Sequence, residues 1–140
     1  MNDQIKGVNF KKLRIIDIPE GNVYHALKKS DSEFEGFGEA YFSSIHHKEI
    51  KAWKKHRIMK MNLIVPVGEV KFVFMNQKNQ FLELITGEDN YGRITVDPDI
   101  WFGFQGISRK TSLILNISNI IHSPDEADKV DMLDIKYNWN

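Results

Sequence analysis

The sequence predicts an all-β domain, an antiparallel sandwich or barrel ending in a short C-terminal helical or irregular tail. Three observations predict it: runs rich in Val, Ile, Phe and Tyr recur along the chain, turn residues separate them at roughly ten-residue intervals, and no helix-period segment precedes the tail. At 140 residues the chain reads as one domain spanning 1–140, large enough to bury a core without covalent staples.

The elements follow in order. Residues 8–18 (VNFKKLRIIDI) are β-branched and aromatic and end at Pro19-Glu20-Gly21-Asn22, a turn by composition. Residues 23–29 (VYHALKK) fit a short strand or a helical turn, and Ser30-Asp31-Ser32 is a loop. Gly36 and Gly38 within EGFGEAYFSSI mark a strand whose backbone bends or closely approaches something. Alternation puts Phe37, Glu39 and Tyr41 on one of its faces, and Gly38, Ala40 and Phe42 on the other. His46-His47-Lys48-Glu49 is a polar connection. Residues 52–57 are expected as a strand with Ala52, Lys54 and His56 on one face and Trp53, Lys55 and Arg57 on the other. Leu63-Ile64-Val65 is expected to fold back through Pro66-Val67-Gly68 as a buried hairpin with a strand at 69–74, in which Val70, Phe72 and Phe74 form an apolar face. Strands are expected again at 81–86, 92–96, 100–104 and 112–118. Ser123, with Pro124 in the first helical position and acids after it, is expected to start a brief helix.

Composition narrows the function. Without cysteine there is no disulfide framework, thiolate metal site or cysteine nucleophile. The 19 basic and 19 acidic residues cancel, so the molecule as a whole has no field to recruit nucleic acid or an anionic membrane, and neither is expected as a partner. No apolar run resembles a signal peptide or approaches the ~18 residues of a membrane span, so a cytoplasmic protein is expected. The positive charge is local. Residues 51–60 hold five cations, Lys51, Lys54, Lys55, Arg57 and Lys60, together with Trp53 and His56. A basic, aromatic strand feeding a buried segment can line a pocket for an anionic ligand.

Lys54, enclosed by like charges and partly desolvated, fits two readings, a base near neutral pH or a simple anchor for phosphate. His56 also fits two, an acid–base group or a hydrogen-bonded wall residue. Trp53 and Trp101 offer flat faces to a nucleobase or sugar, or else belong to core or interface. Glu39 either reaches a sugar hydroxyl or lies on the surface. His46 and His47 have no paired base or nucleophile nearby and read as loop residues.

Five blocks, in order, resemble the cupin-fold family of dTDP-4-dehydrorhamnose 3,5-epimerases and relatives that act on nucleotide-linked keto-sugars. GFGEAYFSS resembles the family's G-F-F-x-E-S-F, IKAWKKH its L-R-G-L-H-x-Q, and NLIVPVGEVKFVF its K-L-V-R-V-x-x-G-x-V-x-D-V. VDPDIWFGFQGIS resembles I-P-x-G-F-A-H-G-F, and NIIHSPDEADKVDMLDIKYNW resembles the closing T-x-Y-Y-S-P-E-x-E-x-x-I-R-W-x-D-x-x-I-x-W. The resemblance implies a cupin-type antiparallel jelly-roll β-barrel, a homodimer with exchanged N-terminal strands, and a pocket for a nucleotide-linked sugar, dTDP-linked in the family. It sets Lys51 at the family's substrate-binding arginine, Lys54 at its catalytic histidine and His56 at the following glutamine. The acid tyrosine falls at Ile121, beside His122, and the carboxylate that pairs with the histidine falls at Asp134. Metal-dependent cupins carry an H-x-H pair followed by an acid and a later histidine. Here Lys54-Lys55-His56, Lys60, Met61 and Gly103 stand there, a poor divalent site, so no metal or other cofactor is expected.

The expectation is therefore a metal-independent epimerase or isomerase acting next to the ketone of a nucleotide-linked 4-keto-sugar, in deoxysugar or surface-polysaccharide (lipopolysaccharide) synthesis. His56, Lys54 and Asp134 are the candidate catalytic residues. Lys51, Trp53, Arg57, Lys60, Glu39, Trp101 and His122 are the candidate substrate contacts. Two other readings remain open, a non-catalytic sugar-nucleotide or carbohydrate-binding cupin and an accessory domain of a sugar-modifying enzyme.

Overall fold

Alternating apolar runs become strands because each can bury one face, and in the computed structural model, which describes residues 3–140, twelve of them form. They are β1 (Val8–Lys12), β2 (Ile15–Ile16), β3 (Val23–Tyr24), β4 (Glu39–Ile45), β5 (Ile50–His56), β6 (Met61–Val67), β7 (Glu69–Met75), β8 (Phe81–Gly87), β9 (Gly92–Val96), β10 (Trp101–Gly106), β11 (Ser112–Ser118) and β12 (Ala127–Lys129). One five-stranded sheet runs β1-β9-β6-β11-β4, a second runs β12-β5-β10-β7-β8, and β2-β3 is a small separate ladder. The strand pairs are antiparallel throughout. Two 3-10 turns, Pro124–Glu126 and Met132–Asp134, supply the short helical content of the tail. Among the described residues no helix is long and apolar enough to cross a membrane.

The core fills the space between the two sheets. Leu63 and Val65 from β6, Ile94 and Val96 from β9 and Ile114 from β11 meet Val70, Phe72 and Phe74 from β7 and Phe102 from β10. The second sheet is covered on its outer side as well. There Trp53, Val73 and Trp139 form a smaller cluster with Tyr137 and Ile135 of the tail packed against it. Strand β7 is consequently buried on both faces. Its Lys71 is buried with the rest and donates to the Trp139 carbonyl at 2.8 Å.

The chain bears out the strand positions better than their partners. Residues 92–96 and 112–118 form strands over the expected limits, and 23–24 resolve as a strand paired with 15–16. The expected hairpin between β6 and β7 does not form, because the two strands lie in different sheets. Pro66 belongs to β6 near an irregularity in its pairing with β11, where its missing N–H costs no ladder bond. The turn is made by Gly68 alone, at φ +84, where a Cβ would stand 2.2 Å from Ser112 Oγ. Only glycine meets both demands.

Gly68→Ala should therefore lower stability by about 1–3 kcal/mol from backbone strain, with the Ser112 clash adding to it. Urea unfolding of the two proteins checks this; equal midpoints would show that the corner tolerates a side chain.

Candidate active site

Strand β5 carries the site, and a bulge decides which of its side chains face inward. Across from β10, Lys51 pairs with Phe104 and Ala52 with Gly103, but Lys54 then pairs with Phe102, leaving Trp53 as an extra residue. The Ala52–Trp53 peptide at this point is cis. Strict alternation had put Lys51 and Lys54 on opposite faces; the inserted residue brings Lys51, Lys54 and His56 to one face and turns Ala52 outward. Gly103 fits this crossing because a Cβ there would lie 2.6 Å from that of Ala52 and 3.2 Å from the Trp139 ring.

The inward face opens on a cavity of about 440 Å³ between the sheets. Met61, Leu63, Phe72, Phe102, Phe104 and Ile114 make it apolar, while Tyr41, Ser43, Asn116, Lys51, Lys54, His56, Lys129 and Asp131 bring polar groups to its walls. An apolar cleft with a few convergent polar groups is the usual form of a small-molecule site.

His56 and Glu126 are the most enclosed of the ionisable groups here, at 3% and 4% exposure. Imidazole Nδ1 is hydrogen-bonded to Glu126 Oε1, and the ring stacks on Phe102 with centroids 6.0 Å apart. Glu126 Oε2 also accepts from the backbone N–H of Ile58 and of Met59, each at 3.2 Å. Burial pushes the Glu126 carboxyl up, but the bond from His56 and the two backbone donors outweigh it and hold the group below 4.5. His56 lies below 6.5 chiefly because burial disfavours the imidazolium, with Lys54 and His122 adding to the effect against the pull of Glu126. A neutral imidazole facing a carboxylate carries its proton on Nδ1, so Nε2 holds the free lone pair.

Lys54 stands beside Lys129 across the β5–β12 ladder, and among the described residues neither has an ion-pair partner. Burial is the main reason that Lys54 loses its proton more readily than a free lysine, and the charge of Lys129 is the next. Lys51 is more exposed; its Nζ donates to the Ser44 carbonyl at 2.8 Å and lies 5.9 Å from the Phe104 ring centre.

Several of the residues expected at the site stand elsewhere. Asp134 does not pair with His56: it closes its own 3-10 turn, accepting from the Asp131 N–H at 2.9 Å, and Glu126 holds the histidine instead. Arg57 is exposed, paired with Asp128 and donating to the Asp125 carbonyl at 2.9 Å. Lys60 is bound by Glu35 at 2.8 Å and Asp97 at 3.8 Å. Glu39 accepts from the His122 backbone N–H at 2.6 Å, and Ile121 beside it is 73% exposed. Trp101 lies on the outer face under Lys55, whose Nζ is 5.1 Å from its ring. Trp53 borders the cavity, but its indole packs against Trp139 and donates to the Met132 carbonyl at 3.1 Å. His46 and His47 stand in the connection, bonded to Thr111 and to the Ser108 carbonyl. Glu126, Lys129 and Asn116 were not singled out by the sequence, since their roles arise from contacts across the fold. Among the described residues no three His, Asp or Glu side chains gather as a metal-binding group.

No family model and no curated protein matches the chain. Solved structures do. A dTDP sugar isomerase from Desulfovibrio desulfuricans G20 is 30% identical, with a TM-score of 0.91 over 96% of this chain and 92% of that one. A dTDP-6-deoxy-D-glucose-3,5-epimerase from Legionella pneumophila Philadelphia 1, solved with dTDP-4-keto-L-rhamnose, gives 0.83 at 16% identity over 96% and 78%. A sugar 3,4-ketoisomerase from Thermoanaerobacterium thermosaccharolyticum, solved with TDP, gives 0.78 at 14% identity over 94% of each chain. The last two likenesses concern the fold alone. Together with the sheet order they bear out the cupin-type jelly roll.

The dyad fixes how stability responds to acid. Below 6.5 the unfolded chain binds a proton at His56 that the folded chain resists, and below 4.5 the same holds for Glu126. Stability should therefore fall as pH drops from about 7 to about 5, and further towards about 4. His56→Asn should flatten the upper part of that decline. Urea midpoints across the range measure it, and a wild-type midpoint that holds or rises on acidification would contradict the assigned charge states.

Proposed function

We propose, for a chain that belongs to the dTDP-4-dehydrorhamnose 3,5-epimerase-like family of cupins, an epimerase or isomerase acting next to the ketone of a nucleotide-linked 4-keto-sugar. The observation that carries the reading is His56, held by the buried Glu126 carboxylate, on the wall of a cavity bordered by Lys54 and Lys129, which have no ion-pair partner among the described residues. The neighbours add support, since one was solved with TDP-4-keto-6-deoxyglucose and another with dTDP-4-keto-L-rhamnose.

A ketone acidifies the adjacent C–H. His56 Nε2 takes that proton, and the electron pair moves into the carbon–carbon–oxygen system as an enolate. Glu126 steadies the imidazolium through Nδ1–H, while Lys54 and Lys129 offset the negative charge. Return of the proton to the same carbon from the other side inverts the centre; for isomerisation the proton of the neighbouring hydroxyl passes to the enolate oxygen, and the carbon that bore the ketone takes up the proton held by the imidazolium. Lys51, more exposed, suits the diphosphate. Lys54 takes the electrostatic role rather than that of the base because no carboxylate orients its amine, whereas Glu126 fixes the His56 ring. One imidazole beside two lysines is a weak donor set for a divalent ion, so the reaction is written without one. A homodimer fits the exposed Phe37 and Phe42, on and next to edge strand β4, and a cytoplasmic role in deoxysugar or surface-polysaccharide synthesis fits the substrate class. One observation favours a binder that lacks catalysis: Ile121 lies in solvent where the family carries its acid tyrosine.

Incubation with TDP-4-keto-6-deoxyglucose in deuterated water separates the two. Wild type should wash deuterium into the carbon beside the ketone, with a rate that declines on the acid side below 6.5, where the imidazole charges. His56→Asn should slow the exchange by about 10²–10⁴-fold while TDP still binds. Tight binding without exchange over a panel of 4-keto nucleotide-sugars would establish the binder; unchanged exchange in His56→Asn would remove His56 as the base.

A further inference from the structure

The β4–β11 wall of the cavity belongs to the sheet opposite β5, so Tyr41 and Asn116 look towards His56 across the space between the sheets. They are paired across the ladder, Asn116 with Tyr41, and joined by a hydrogen bond in which Asn116 Nδ2 donates to the Tyr41 hydroxyl oxygen at 2.9 Å. The thioether of Met59, a weak acceptor, lies 3.7 Å from the same nitrogen and agrees with that orientation of the amide. Two consequences follow. The phenolic O–H, its oxygen already accepting, has its proton to give elsewhere. Asn116 Oδ1 is left without a partner although the side chain is 3% exposed.

A buried acceptor without a partner destabilises the empty protein, and such groups in native structures call for a reason. Here the reason is a ligand. Asn116 sits on the cavity wall with no backbone task, and its orphaned oxygen stands next to a hydroxyl donor. A wall that presents a donor beside an acceptor matches a molecule that presents an acceptor beside a donor. On a sugar, two neighbouring carbons bearing C=O and O–H make that pattern. A plain polyol does not require it, because every hydroxyl both donates and accepts.

We propose that Tyr41 and Asn116 form a specificity site for an α-hydroxyketone, Tyr41 donating to the ketone oxygen and Asn116 Oδ1 accepting from the hydroxyl on the adjacent carbon. The proposal rests on the keto-sugar reading and narrows it: the substrate must carry a free hydroxyl next to its ketone. A sugar held from this wall by both oxygens turns its other face to His56. The two residues thus position the substrate, and the proton transfer stays with the histidine.

The test compares TDP-4-keto-6-deoxyglucose with its 3-deoxy counterpart, which keeps the ketone and lacks the neighbouring hydroxyl. Titration calorimetry gives the affinity of each sugar and of TDP. A buried polar group left unpaired by the deoxy sugar should make wild type prefer the hydroxylated one by at least about 10²-fold. Asn116→Leu should reduce that preference to less than about tenfold, losing affinity for the hydroxylated sugar while TDP and the deoxy sugar bind much as before. Tyr41→Phe should weaken both keto-sugars by a similar factor and leave TDP unaffected, since both carry the ketone. Asn116→Ser carries the same expectation should the leucine variant fail to fold. Wild-type discrimination that persists in the Asn116 variants, or is absent from wild type, overturns the specificity site while leaving the keto-sugar reading intact. Wild type that binds TDP but neither keto-sugar overturns both.

Discussion

The hydrogen bond between His56 and Glu126 is the contact on which the site and the tail both depend. Glu126 ends a 3-10 turn that has no side-chain cap, so little within residues 124–126 holds it in place. Its carboxylate accepts from His56, Ile58 and Met59, and that anchors the tail to the end of β5. Next in the chain β12 pairs with β5, Ala127 opposite His56 and Lys129 opposite Lys54, while Val130 and Trp53 exchange backbone bonds at 3.2 and 3.1 Å. The residues after it spread over the outer face of the second sheet, where Trp139, Tyr137 and Ile135 close over Trp53 and Val73. A carboxylate buried this deeply persists only with its acceptor positions filled, and the same bonds that fill them place a lysine, a histidine and a strand edge around the cavity.

Strand β5 serves two opposite faces, and the bulge at Trp53 makes this possible. Before it, Lys51 looks inward over Phe104; after it, Lys54 and His56 do, while Ala52 sits against Gly103 below the tail. Without the extra residue the inward set would be broken and one of the lysines would be turned towards the apolar tail cluster. A lysine that is buried on that side, Lys71, ends on the Trp139 carbonyl at 2.8 Å with the Trp139 ring 5.7 Å away. The tail therefore contributes a carbonyl and an aromatic face to a cation that β7 would otherwise bury alone.

The strands and their class were legible because turn chemistry and alternation are local. The same locality explains the errors. Gly68 signals a turn whether the chain folds back in one sheet or crosses to another, so 63–74 read as a hairpin although β6 and β7 never pair. Alternation along 52–57 is a regular-strand rule, and nothing in KAWKKH marks the inserted residue. Family resemblance pointed to Asp134 as the carboxylate for the histidine, whereas Glu126, 70 residues from His56, is the one that folding delivers. Of the five cations at 51–60, Lys51 and Lys54 reach the cavity; Lys55, Arg57 and Lys60 meet acids or an indole that the sequence holds far away. Asn116 gave no signal, because an amide in the middle of SLILNIS looks like an interruption of the pattern until its neighbours in space are known.

What remains of the basic cluster after those pairings is a small field of one sign, built half by β5 and half by the tail. Among the described residues Lys54 and Lys129 face each other over the cavity edge with no ion-pair partner, and the charge of Lys129 adds to burial in disfavouring that of Lys54. The same field acts on His56, where Lys54 and His122 reinforce burial in keeping the imidazole neutral. Before the transfer, a base made weaker by its surroundings is poorly suited to remove a proton from carbon. In the proposed reaction the balance reverses as the proton moves, because the enolate formed beside the lysines is stabilised by the charges that lowered the basicity of the histidine. Repulsion present before the transfer becomes attraction after it, and an anion held in an apolar cavity feels it more strongly than one in water. The two lysines and the paired histidine are thus complementary features: the carboxylate of Glu126 orients the base and steadies it once it is charged, burial and Lys54 keep it neutral beforehand, and the cations reserve their field for the charge that the base creates.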